Sequence, residues 1–166
     1  MPRISFRRRW IAAALATGTA TLALAGAASG SGTSSIEHFT FMTTSVAADH
    51  FTVIATGAFT DGGTAAPLSG HDTITFPDGS VTLVGVGKSK PVMTSDTKTC
   101  YETLTQAGKY KIGAATGKYK GLTGSGTFML RIREIGPIVN GKCDTSTSKR
   151  VASEGMLVGR GPVTLP

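Results

Sequence analysis

From Ile36 onward the chain alternates apolar and polar residues with a period of two, the spacing of a strand with one buried face. Phe39 and Phe41 share a parity with Glu37, opposite His38, Thr40 and Met42. Over Asp49–Phe59 the pattern is cleaner: Phe51, Val53, Ala55, Gly57 and Phe59 oppose His50, Thr52, Ile54 and Thr56. Asp61-Gly62-Gly63-Thr64 reads as the turn that ends this strand. Asp72, Ile74 and Phe76 then share a face, and Pro77-Asp78-Gly79 predicts a hairpin into Ser80–Lys88. There Val81 and Leu83 oppose Val84 and Val86, so either a bulge near Gly85 shifts the register or both faces are covered.

The second half continues the pattern. Cys100, Glu102 and Leu104 oppose Tyr101 within Lys98–Leu104. Two copies of Gly-Lys-Tyr-Lys follow, at Gly108–Lys111 and Gly117–Lys120, each read as strand with lysines out and tyrosine in. Over Thr127–Ile135, Phe128, Leu130, Ile132 and Glu134 oppose Met129, Arg131 and Arg133. Gly136-Pro137 breaks that strand, Asn140–Lys149 is a polar loop, and Val151–Val158 is the last strand, with Gly159–Pro166 a trailing end. No stretch of this region has helical periodicity. The pattern predicts an all-β fold: a single antiparallel up-and-down β-barrel of about eight strands. Barrel is preferred to sandwich because Gly113, Gly117, Gly121, Gly124 and Gly126 exceed what turns need and suit tight corners.

Residues 1–27 stand apart. Arg3, Arg7, Arg8 and Arg9 precede an uncharged apolar run over Trp10–Ala25 and small residues at Ala25–Ser29, the layout of a secretory signal peptide. An uncleaved anchor is the competing reading, but the run is short and alanine-rich for a membrane span. Arg7-Arg8-Arg9-Trp10-Ile11 fits twin-arginine export loosely, and general Sec export equally. Residues 28–35 form a flexible Gly/Ser/Thr leader and 36–166 the barrel domain. The expected product is secreted, with no stable membrane anchor after cleavage.

Removing the signal changes the charge picture. The whole chain carries +7, but four of its 17 Lys and Arg lie in the signal, leaving 13 against 10 Asp and Glu, or +3. That is too mild for a phosphate-backbone stripe, so nucleic acid is not an expected partner. The two cysteines, Cys100 and Cys143, are both in the exported part and read as one disulfide. A catalytic thiol or half a metal site would need His or Cys partners at ligand spacing, which the sequence lacks. No metal or cofactor is expected.

Thr116-Gly117-Lys118-Tyr119-Lys120-Gly121-Leu122-Thr123-Gly124-Ser125-Gly126-Thr127-Phe128 resembles the glycine-rich segment of allene oxide cyclase and dirigent-like barrels, especially small secreted bacterial members. The motif covers about 20 residues, with Ala115 where the family often has glycine. The resemblance implies an eight-stranded barrel around an apolar cavity, acting without cofactor on an unsaturated epoxide or on phenolic radicals. It also implies dimers or trimers formed through outer barrel faces, where Ile54 or Met129 would serve. No motif transfers the plant enzymes' catalytic residues, and fold alone does not carry chemistry.

The residues themselves offer acids at inward parity. Glu37, Asp49, Asp72, Glu102 and Glu134 share faces with apolar neighbours; Glu37 and Asp49 sit where strands begin and lose inside from outside. Asp72, Glu102 and Glu134, with Tyr110 and Tyr119, are the candidate ligand-cavity residues. A carboxyl in an apolar cavity has a raised pKa and can act as acid, base or acceptor. His38, His50 and His71 face solvent by parity, and Ser125 between glycines is a turn residue rather than a nucleophile. Two functions remain open: a barrel binding a small apolar or phenolic molecule, with cyclase-type isomerase chemistry as its catalytic form, or a filled, non-catalytic barrel whose surface meets an extracellular partner.

Overall fold

Buried and exposed residues alternate cleanly along Phe51–Thr56 and Glu154–Val163, the spacing the pattern demands. The computed structural model describes residues 33–48, 50–66, 68–144 and 149–166. The strands are β1 (Ser34–Thr43), β2 (Phe51–Thr56), β3 (Asp61–Ala65), β4 (His71–Phe76), β5 (Gly79–Val86), β6 (Val92–Asp96), β7 (Tyr101–Ala115), β8 (Thr123–Ile135), β9 (Ile138–Val139), β10 (Lys142–Cys143) and β11 (Ala152–Thr164). Eight of them close an antiparallel barrel in the order β1-β2-β3-β4-β5-β7-β8-β11, with β11 returning to β1. Closure removes every edge in the barrel proper, so its backbone donors and acceptors are paired around the ring.

Two excursions interrupt the up-and-down path. β7 is long enough for two partners on one edge: Lys109–Ala115 meets β5, and Tyr101–Thr105 meets β6. β6 therefore lies outside the ring, with all five residues exposed. The small β9–β10 hairpin lies between β8 and β11. A Cys100–Cys143 disulfide ties this hairpin to the turn before β7, and the Gly136 N–H donates to the Cys100 carbonyl at 2.9 Å.

The core is the barrel interior. Phe39, Phe41, Val53, Ala55, Ile74, Val81 and Val163 have no solvent-accessible surface. Burying each of the larger ones stabilises the fold by roughly 1.5–3 kcal/mol. Phe59 packs on Phe39, Phe76 and Tyr119, and Phe39 meets the edge of Tyr110, filling one end of the barrel with rings.

Several expectations need correction. Asp61–Thr64 is not a turn but most of β3, because Gly62 and Gly63 can join a ladder whose neighbours supply the bulk. The second Gly-Lys-Tyr-Lys copy is not a strand: Gly117–Tyr119 forms a 3-10 turn, entered at a φ of +58° that glycine tolerates. The β5–β7 register shift falls between Val81 and Leu83, opposite Ile112–Ala115, not at Gly85. Gly159–Thr164 does not trail off but extends β11, where Gly159 and Gly161 face Phe39 and Glu37 of β1. β1 begins at Ser34, inside the leader assigned to 28–35. The signal read over 1–27 lies outside the described residues, as do residues 28–32 and Asp49.

The glycine-rich segment has a packing role that corner bending does not describe. Tyr110 on β7 faces Gly126 on β8, and a β-carbon there would come within 2.8 Å of the Tyr110 ring. One at Gly108 would come within 2.6 Å of the Phe128 ring. Glycine at these two positions leaves the neighbouring strand's ring the space it occupies against the backbone.

Candidate functional site

The barrel interior has two polar zones. The first begins with register. Glu102 on β7 stands directly across from Glu134 on β8, both pointing inward, and like charges in that position repel. Arg150, just before β11, resolves the conflict: its Nε donates to Glu134 Oε2 at 3.1 Å and its Nη2 to Glu102 Oε2 at 3.3 Å. All three side chains are less than a fifth exposed, so the pairs are largely shielded from water. The inward rows continue from this cluster as Leu104 with Ile132, Gln106 with Leu130, and Gly108 with Phe128. These apolar side chains are half-buried, whereas inward residues of β1, β2 and β4 such as Phe41, Val53 and Ile74 are closed off. The inward side chains of β7 and β8 are thus less covered than those of β1, β2 and β4, with Phe128 and Leu130 packed against the edge of the core.

The second zone is closed. Glu37 is fully buried; the Phe59 N–H donates to its Oε2 at 3.0 Å, while its Oε1 has no partner. Burial pushes the Glu37 carboxyl above the usual range, more strongly than the backbone donors at Phe59, His38, Ala58 and Thr56 pull it down. The Tyr110 hydroxyl is also buried and unpartnered. Its pKa is pushed up to about 12 by burial, with the charge of Glu37 adding to the effect.

The remaining candidates lie apart. Asp72 opens the inward row of β4, half-buried, and accepts from the Ser69 N–H at 2.6 Å; burial raises its pKa. No hydrogen bond among the described residues joins it to Glu102 or Glu134. Tyr119 is buried and donates to the Asp61 carboxylate, which that bond holds below its ordinary value. Of the five cavity candidates, only Glu102 and Glu134 meet in one cluster. Two members of the interior were missed. Arg150 ends a polar loop without periodicity, so no pattern pointed inward. Glu37 shares the parity of Phe39 and Phe41, which is the signal for an inward side chain, and β1 begins before it, at Ser34.

The fold and site define a closed eight-stranded antiparallel barrel, disulfide-strapped, with one aromatic-filled end and one wall leading to a carboxylate–guanidinium cluster. In comparison with known proteins, no family model, curated protein or solved structure matches the chain. A disulfide suits an extracellular protein, and no helix among the described residues is long and apolar enough to cross a membrane. No group of His, Cys, Asp and Glu among the described residues could hold a metal ion.

Proposed function

We propose that this is an exported barrel that binds a small apolar or phenolic molecule along its β7–β8 interior wall. One observation carries the reading: half-buried Leu104, Leu130, Ile132 and Phe128 lead directly to Glu102, Arg150 and Glu134. Apolar walls with a few convergent polar groups are what small-molecule sites use. A phenol would rest its ring on the leucines and donate its O–H to a carboxylate that also pairs with Arg150. The resemblance to cyclase and dirigent-like barrels suggests cofactor-independent isomerisation or phenolic coupling as the chemistry of such a molecule.

Titration of the 15N-labelled protein with 4-propylphenol tests the site. Saturable shifts at Leu104, Gln106, Leu130 and Ile132, weakened by the paired Glu102→Gln and Glu134→Gln substitutions, would support it. Absence of interior shifts at millimolar phenol would sink it. A second reading has its own observation. Phe39, Phe59, Phe76 and Tyr119 fill one end with edge-to-face and tilted rings, as in a non-catalytic barrel that meets an extracellular partner through its surface.

A further inference from the structure

The outside of the barrel carries an arrangement that the interior site does not use. Register aligns two neighbouring cross-strand rows over β7, β8 and β11. One row is Ala107–Met129–Val158, and the next is Lys109–Thr127–Arg160. All six side chains are on the outer face and exposed, Met129 by 51 % and Val158 by 37 %. With Gly108 and Phe128 they line a shallow, open concavity of about 460 Å³ in the barrel wall. An apolar strip therefore runs beside a strip that begins and ends with a cation.

The charges around it are one-sided. No carboxylate among the described residues lines the concavity. The acid on the outer face of β11, Glu154, is two residues beyond Met156 and is held by Arg133 at 2.7 Å. Glu37, Glu102 and Glu134, by contrast, point into the barrel. The uncompensated cations sit where the apolar row is open.

We propose that this concavity binds a single anionic amphiphile, with an acyl-type chain along Ala107, Met129 and Val158 and a phosphate or carboxylate head between Lys109 and Arg160. Burying the chain removes exposed methionine and valine from water, and the head pairs with two cations that have no acidic partner among the described residues. A second copy of the chain fits less well, since two such faces laid together would oppose Lys109 and Arg160 with like charges. The depression is local, in a wall that curves away across its strands, which favours a single amphiphile over a flat bilayer.

Methionine methyl groups give a direct readout. In the disulfide-intact protein labelled with 13C-methyl methionine, dodecyl phosphate below its micellar concentration should shift Met129 saturably and leave Met93 on β6 unchanged. Lys109→Gln with Arg160→Gln should weaken that binding by about tenfold or more while the amide spectrum stays folded, because each surface cation contributes separately to holding an anionic head. Dodecyl maltoside, with the same chain and no charge, should bind at least about tenfold more weakly than the phosphate. The proposal fails if the two detergents bind alike, or if the double substitution changes nothing. It also fails if the Met129 signal depends on protein concentration rather than amphiphile, which would mark a self-association face. Sedimentation with phosphatidylglycerol vesicles in the absence of monomer binding would assign the face to a bilayer and overturn it as well.

Discussion

Glu102 and Glu134 face each other across the β7–β8 ladder inside the barrel, a pairing of like charges that the strand register imposes. Neither can turn outward without breaking the alternation that buries Leu104 and Ile132. The guanidinium of Arg150 is therefore a structural requirement of the register as well as a feature of the candidate site.

Replacing Arg150 by Met should destabilise the fold by about 3 kcal/mol, since it leaves two shielded carboxylates without their cation. Adding Glu102→Gln and Glu134→Gln to that variant should recover most of the loss. Urea unfolding of the single and triple variants checks this; an undiminished loss in the triple variant would show that Arg150 acts through other contacts.

Glu37 should give the protein an unusual pH response. Its folded pKa is raised above 4.5 by burial, so the group favours folding below that value and costs stability as pH rises through its folded pKa. Asp72, also raised by burial, acts in the same direction. Stability contributed by these groups should therefore increase as pH falls from neutral toward 4.5. Asp61 and Asp96, both lowered, oppose this only at more acid pH, below their ordinary value of 3.8. Melting temperatures from pH 7.5 to 4.5 should rise in the native protein and be flatter in Glu37→Gln.

The Tyr110 hydroxyl is buried without a partner, so Tyr110→Phe should be neutral or mildly stabilising, by up to about 1 kcal/mol. Gly126→Ala should instead cost roughly 1–3 kcal/mol, because its methyl would meet the Tyr110 ring at 2.8 Å and the Arg160 carbonyl closer still. If Gly126→Ala were tolerated in the native background, Tyr110 would not be seated as described. Combining it with Tyr110→Ala should relieve only the ring's share of the strain.

Removing the disulfide by Cys100→Ser and Cys143→Ser should cost about 4 kcal/mol for a bridge spanning 43 residues. The loss should also be local. The bridge holds the excursion that leads to Arg150, so hydrogen exchange should quicken first over Tyr101–Thr105 and Glu134–Ile135, before the aromatic end responds. Uniform loosening would show that the strap does not act through the cluster.

Much of the barrel was legible from alternation alone. Phe39, Phe41, Phe51, Val53, Ile74 and Phe76 lie on the apolar face in the sequence pattern and are buried in the structure; over Ser80–Lys88 the pattern leaves the inward face open, and the structure buries Val81 and Leu83. A period of two states which face of a strand is apolar, and an apolar face must be covered. Of the candidate site, Glu102 and Glu134 could be read the same way. Glu37 shares that parity too, but it lies near where the alternation begins, and only the start of β1 at Ser34 shows it to be inside the strand and buried.

What the sequence determined by itself was an alternating, helix-free domain with inward acids and one cysteine pair, because those properties belong to single strands and to composition. Tertiary structure decided which strands are neighbours, and everything that depends on neighbourhood followed from that. Glu102 met Glu134, Arg150 came from a patternless loop to join them, and the glycines of β7 and β8 became seats for Phe128 and Tyr110. Which residues of two strands stand opposite one another is set by register and by closure of the ring, as when β11 returns to β1, and no pattern within a single strand encodes it.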